Sequence, residues 1–151
     1  MLDRMVSKTA KNVVFGEKMK NIIGRTEIIS FSDLEIDKIT AKVDTGAYGV
    51  VVHVDEIAQV DDELHIKVNS KDFIYKNFKC IKVKSSFGKV QKRYSILTKI
   101  ILGDKVYKFY VSLTNRNKMR YPALIGRRFL YKFDYLVDVK QKNINDTTKK
   151  V

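Results

Sequence analysis

The sequence predicts an all-β protein, a small closed β-barrel with one short helix near its C-terminal end. Three observations carry this reading. Apolar residues alternate with polar ones at the strand period: Leu64, Ile66 and Val68 share one face of ELHIKV, and Tyr107, Phe109, Val111 and Leu113 share one face of KVYKFYVSL. Turn-forming stretches punctuate the chain at short intervals, as SDLEID, TGAYG, DD, NSKD, SSFG and GD. One segment alone, GRRFLYKF, has convincing helical spacing, with Phe129 and Phe133 four residues apart.

Strands are predicted over 22–31, 38–43, 50–54, 63–68, 73–84, 91–102, 105–113, 123–125 and 135–139. Ile39, Ala41 and Val43 alternate into the turn of AKVDTGAYGVVVHV, and Val50 to Val52 form a short apolar run beyond it. Gly103-Asp104 joins two long alternating patterns as a hairpin, and VKSSFGKVQ, 83 to 91, reads as a second hairpin with an exposed tip. Pro122 falls in a loop before a short apolar strand, where a proline is tolerated. Residues 1–20 read as a flexible extension, 21–140 as one domain, and 141–151 as a polar, flexible tail.

At 151 residues a single domain buries roughly two thirds of its unfolded surface without metals or disulfides. Thirty Lys and Arg against seventeen Asp and Glu give a formal charge of +13, which predicts an anionic partner: nucleic acid, a ribosome, an anionic membrane surface or an acidic peptide. Cys80 is the only cysteine, so no internal disulfide forms, and a reducing, cytoplasmic compartment is expected. Within FKCIKVK it reads as a small buried apolar residue rather than a nucleophile. No apolar run approaches the ~20 residues of a membrane span, and the N-terminal segment lacks the apolar core of a signal peptide. A Gly-rich Lys-Ser/Thr loop and a GxGxxG motif are both missing, which argues against intrinsic ATP hydrolysis. Zinc catalysis needs about three protein ligands. His53, His65 and Cys80 are scattered and there is no HExxH, so neither a metal nor a cofactor is expected.

Asp44 stands at a strand end, near a core, with no lysine or arginine next to it. A carboxylate there is either a turn-former or a working group, and Asp-Thr-Gly by itself is a common turn.

Asp-Thr-Gly-Ala following a strand, with the later apolar-apolar-Gly motif of ALIGRRFL at 123–130, resembles the retropepsin-like aspartic proteases. The match is closer still to a bacterial branch named for ATP-dependent zinc proteases and associated with the ribosomal-protein glutamate ligase. It runs through most of residues 21–139 and is carried by IGRTE at 23–27, AKVDTGA at 41–47, His53, VKSSFG at 83–88 with Arg93, and SLTNRNKMRYPALIGRRFL at 112–130. The chain departs from the branch at Tyr48, Gly49 and Val50, where Arg-Thr-Ser is usual, and at Asn115, where an Asp precedes Arg116. These changes thin the hydrogen-bonding shell of the turn. The zinc and ATP labels of the branch find no support in the residues.

The resemblance implies an aspartic peptidase. Two carboxylates held about 3 Å apart share one proton, because both cannot ionise, and so supply a base and an acid together. One such turn per chain implies a homodimer in which Asp44 meets Asp44 of the partner subunit on a twofold axis, with the terminal strands near 22–29 and 135–139 in the dimer sheet. The implied catalytic set is Asp44, Thr45 bracing the turn, and Gly46, with the hairpin tip from Ser85 to Gly88 as a flap. The implied substrate-binding set is Ala47, Tyr48, His53, Ser86, Gly88, Arg93, Arg116 and Arg127. An acidic, glutamate-rich peptide or protein is the implied substrate, and an ATP-dependent ligase or a ribosome the implied partner.

Plainer readings stand beside these. His53 on a strand reads as a satisfied core or rim histidine, and Tyr48 as packing. Arg116, Arg127 and Arg128 either line an anionic site, or one of them pairs near Asp44 or Asp138 while the others stand in solvent. The second functional class is a basic module on a protease-like barrel that docks RNA, a ribosome or the ligase without cleaving anything. Aromatics interleaved with lysines, as in FIYKNFK and KVYKFY, suit base stacking and a barrel core equally.

Overall fold

The alternating strands close on themselves. The computed structural model describes residues 12–15, 18–84 and 87–147. In order these form β1 (Asn12–Phe15), β2 (Lys18–Ile23), β3 (Thr26–Phe31), β4 (Ile36–Val43), β5 (Val50–His53), β6 (Glu56–Val60) and β7 (Glu63–Val68). There follow β8 (Lys71–Tyr75), β9 (Lys79–Lys84), β10 (Val90–Leu102), β11 (Lys105–Thr114), β12 (Ala123–Ile125), α1 (Arg127–Lys132) and β13 (Tyr135–Val137). The strands β11-β5-β12-β4-β3-β10 form a ring that the β10–β11 pairing closes, with β9 added outside it on β10. Two small sheets, β6-β7-β8 and β1-β2-β13, flank this barrel. Closure leaves the ring without an unpaired edge.

The core follows from the period-two pattern. Ile96, Ile100 and Leu102 on β10, Val111 and Leu113 on β11, and Ala41 and Val43 on β4 are buried. Thr98 shares that face, and its hydroxyl is satisfied by the Asp33 carboxylate at 3.1 Å. The helical spacing of Phe129 and Phe133 seats α1, since both rings pack on Tyr107, at 5.1 and 4.3 Å between centroids.

Several expectations need correcting. The predicted strand 22–31 is two strands, broken at Gly24, whose N–H donates to Glu27 at 2.8 Å and whose missing Cβ leaves room for the Gln141 carbonyl. The run 73–84 is likewise split between β8 and β9, and β6 pairs with β7 although its own sequence scarcely alternates. Asn12–Phe15, read as part of an extension, pairs with β2. Residues 141–147, read as part of a tail, are tied to the barrel. Glu27 is buried there and accepts from the Asn145 backbone N–H and side-chain amide, each at 3.0 Å. Cys80 is exposed rather than buried, because β9 lies outside the closed ring.

Candidate active site

β4 delivers Asp44 to the rim between β3 and β12. The Asp44 N–H donates to the Ile125 carbonyl at 2.9 Å, which ties the turn to the second motif. Its Oδ1 accepts the Gly46 N–H at 3.0 Å, and its carbonyl accepts the Ala47 N–H at 3.1 Å, an Asx turn that fixes the carboxylate plane. A Cβ on Gly46 would stand 3.2 Å from that same oxygen. Thr45 is exposed at the tip.

The ALIG motif locks this turn from below. A Cβ on Gly126 would lie 2.7 Å from the Ala47 carbonyl oxygen and 2.8 Å from the Gly49 nitrogen, and closer still to the Gly49 carbonyl oxygen. The first N–H groups of α1 use that proximity: Arg127 donates to Ala47 at 2.9 Å and Arg128 to Tyr48 at 3.1 Å. The Arg127 guanidinium reaches back to the Gly46 carbonyl at 3.1 Å. Arg127 and Arg128 also lie over the Tyr48 ring, at 5.3 and 5.1 Å.

Asp44 is not free of cations, contrary to the expectation from sequence. Lys42, two residues back on the same face of β4, places Nζ 3.9 Å from Oδ2. Lys42 is exposed and Asp44 partly so, and water screens the pair. A cleft of about 360 Å³ beside Asp44 is lined by Arg25, Lys42, Arg116, Met119, Arg120 and Tyr121, among others. Four cations around one carboxylate give the cleft a net positive field. Arg25 and Arg120 lie inside the motifs IGRTE and SLTNRNKMRYPALIGRRFL but were not singled out from sequence. Burial of the Arg116 guanidinium lowers its pKa from the usual value, and its Nε donates to the Tyr121 carbonyl at 2.9 Å.

His53 is half-buried and has both ring nitrogens engaged. Nδ1 accepts the Arg116 backbone N–H at 2.8 Å, so the proton sits on Nε2, 2.8 Å from Asp55 Oδ1. The other oxygen of Asp55 accepts the Asn69 N–H at 3.0 Å. The hydrogen bond from His53 is the main reason that the Asp55 carboxyl titrates below its usual value. His53 therefore holds the 115–121 loop and is one step removed from the cleft.

Asp44, Thr45, Gly46, Ala47, Tyr48 and Arg127 thus come together at the turn, with Arg116 across the cleft. Gly88, with φ of +82°, and Arg93 lie on the β9–β10 hairpin, and neither lines the cleft. Arg93 points away from the face that buries Ile96, opposite exposed Ile81. Ser86 lies outside the described residues. A larger groove of about 970 Å³ runs along α1 past Lys20, Phe109 and Tyr135 and meets the turn only through Arg127 and Arg128.

The residues do not fit a zinc ion. His53 has no free nitrogen, His65 and Cys80 stand on different sheets, and among the described residues no three His, Cys, Asp or Glu side chains group to hold a metal. Nor, among the described residues, is any helix long and apolar enough to cross a membrane.

A family model described as RimB-like, retropepsin-like aspartic endopeptidase RimB, matches residues 22–148. Over 120 residues the chain is 37% identical to a protein of Shewanella halifaxensis named "Probable alpha-L-glutamate ligase", an alignment covering 72% of this chain and 26% of that one. A Shewanella pealeana protein of the same name is 36% identical over the same shares. The chain thus spans about a quarter of the length of the curated relatives it matches. A crystal structure of a Legionella pneumophila protein of unknown function superposes with a TM-score of 0.65 at 30% identity, covering 83% of this chain and 98% of that one.

Proposed function

The chain belongs to the RimB-like family of retropepsin-like aspartic endopeptidases, and we propose on that premise that it is an aspartic peptidase whose site is completed by a second copy. The observation that carries this reading is the Asp44 turn, with its carboxylate oriented by the Gly46 N–H and its backbone interlocked with Gly126 and the start of α1. So rigid a mounting is more than a surface turn needs, and it is what proton sharing between two carboxylates requires.

In the proposed dimer, Asp44 and Asp44 of the partner subunit hold one proton between them. The ionised carboxylate takes a proton from water as the water attacks the peptide carbonyl. The other carboxyl, neutral, gives its proton toward the carbonyl oxygen. Collapse of the tetrahedral species breaks the C–N bond, with a proton delivered to the departing amine. Arg25, Arg116 and Arg120 would draw an acidic chain into the cleft, which favours glutamate-rich peptides as substrate. Similarity to proteins named as glutamate ligases supports that class and makes a ligase, or a ribosome bearing its product, a reasonable partner. The β9–β10 hairpin would close over the bound chain as a flap.

Asp44→Asn keeps the shape of the side chain but cannot share a proton. It is expected to abolish cleavage of a glutamate-tailed peptide while leaving the fold and sedimentation unchanged, and chelators are expected to have no effect. A chelator-sensitive activity that survives Asp44→Asn would overturn the mechanism. A strictly monomeric protein at tens of micromolar would remove the composite site and leave a basic binding module.

A further inference from the structure

One face of the barrel carries four cations and no carboxylate on its strands. The strands β9, β10 and β11 contain eight Lys or Arg and no Asp or Glu. Burial of Ile96, Ile100 and Val111 fixes which side faces the core, so Arg93, Leu97 and Lys99 on β10 and Lys108 and Tyr110 on β11 face outward. Lys79 on β9 shares that side, since its Nζ lies 3.9 Å over the Tyr110 ring, across β10. Lys99 stands directly opposite Lys108 in the β10–β11 register. Like charges in a directly opposed cross-strand pair are destabilising. Among the described residues, none of Lys79, Arg93, Lys99 and Lys108 is in an ion pair. The nearby Asp33 carboxylate keeps its charge while its Oδ2 accepts from Thr98 Oγ1 and the Lys99 backbone N–H, and it makes no ion pair with Lys99 or Lys108.

The cations bracket an apolar middle. Leu97, 46% exposed, stands opposite Tyr110, 40% exposed, between Arg93 and Lys99. Six residue steps along the strand separate those two cations, a track of ~20 Å. We propose that this face binds single-stranded nucleic acid, with phosphates on Lys79, Arg93, Lys99 and Lys108 and bases laid over Leu97 and Tyr110, the exposed Lys79 ammonium swinging from the Tyr110 ring to a phosphate as a base takes its place. A ligand that suits the face must bring negative charge to both ends and flat apolar surface between them. A run of glutamates supplies the charge but no stacking faces. An anionic membrane needs apolar side chains that reach beyond the cations, and here Leu97 and Tyr110 lie between longer Lys and Arg side chains. The site shares no residue with the cleft at Asp44, so it stands whether or not the peptidase reading does.

The test uses the intact chain and fluorescein-labelled 15-nucleotide oligo(U) and oligo(dT), with anisotropy read across a range of sodium chloride. For three to four phosphate contacts, log K against log salt is expected to fall with a slope of about −2 to −3, at ~0.7 per contact on a single strand. Lys99→Glu should flatten the slope by at least ~0.7. The same substitution should raise the Tm of the free protein, because it turns a repulsive cross-strand pair into an attractive one. Lys140→Glu, an equal change of charge away from this face, should leave the slope as it was. Binding of either oligonucleotide supports the proposal, and the tighter one identifies the preferred sugar. A raised Tm with an unchanged slope would show a merely solvated face and overturn it. So would equal weakening by Lys140→Glu, preference for a duplex of the same length, or binding only to oligoglutamate or to phosphatidylserine vesicles.

Discussion

Gly126→Ala should break the mount of the Asp44 turn, and the size of the effect follows from the packing. Gly126 sits at φ −94°, ψ −179°, a conformation open to alanine, so any loss reports contact and not backbone strain. The new methyl group would meet Ala47 O at 2.7 Å and Gly49 N at 2.8 Å. These are backbone atoms and cannot swing aside as a side chain would. Relieving the overlap costs about 1–3 kcal/mol by analogy with overpacked cores. Separating the turn from α1 also weakens the two bonds from Arg127 and Arg128, at about 0.5–1 kcal/mol each. The total of about 2–5 kcal/mol is a large share of the ~5–15 kcal/mol by which a domain of this kind is stable. At about 3 °C per kcal/mol for this chain length, Tm should fall by about 6–15 °C. Thermal and urea unfolding measure it, with Gly49→Ala as the control. A Cβ at Gly49 meets nothing within 4 Å, so that variant should stay within ~0.5 kcal/mol of the parent. If Gly126→Ala unfolded at the parent's midpoint, the interlock would not hold the turn.

Burial, and then the hydrogen bond to Tyr107, hold the Tyr135 phenol far above its usual pKa, and burial raises Tyr107 as well. Unfolded tyrosines ionise near pH ~10, so the stability these two contribute is complete below that pH and is lost as pH rises beyond it toward the folded values. Tyr135→Phe should make the fall in urea midpoint between pH 8 and pH 11 shallower, and an equally steep fall would rule the Tyr135 phenol out as its source. His53→Asn keeps an acceptor near Nδ1 for the Arg116 N–H, whereas His53→Gln keeps a donor near Nε2 for Asp55. Hydrogen exchange at Arg116 should be slow in the first and fast in the second, and equal rates would show that the loop is held some other way.

The barrel was legible because its strands alternate cleanly. β7, β10 and β11 fell where the period placed them, and the turn at Gly103-Asp104 joined the last two as expected. The interlock of DTGAYG with ALIG was legible only as a pair of motifs, since the contact that matters is the absence of a side chain at Gly126. Other features depend on residues far apart in the chain. Glu27 reads as a solvated charge on a strand, yet it is buried because donors 118 residues away converge on it. The break at Gly24 is hidden by apolar residues that continue on both sides of it. The outward direction of Arg93, by contrast, was available from the alternation of Tyr94, Ile96 and Thr98 had parity been carried back along β10. The proximity of Lys42 to Asp44 was available in the same way from β4.

The departure at Tyr48 supports one further argument. Where the related branch has Arg-Thr-Ser after the Asp-Thr-Gly-Ala turn, this chain has Tyr48, Gly49 and Val50, and loses side chains able to hydrogen-bond the turn. The structure holds the same place by other means: two guanidinium groups lie over the Tyr48 ring, and one of them, Arg127, donates to the Gly46 carbonyl. If the ring is what orders these arginines, Tyr48→Phe should be neutral and Tyr48→Ala should cost about 0.5–1 kcal/mol for each exposed cation–π contact. A double-mutant cycle between Tyr48→Ala and Arg127→Ala separates this coupling from packing alone. Coupling of about 0.5 kcal/mol or more is expected, because losing the ring also frees Arg127 from Gly46. Strict additivity would mean that the tyrosine merely fills space, and that the turn is held by its backbone bonds to α1 and by nothing that replaced Arg-Thr-Ser.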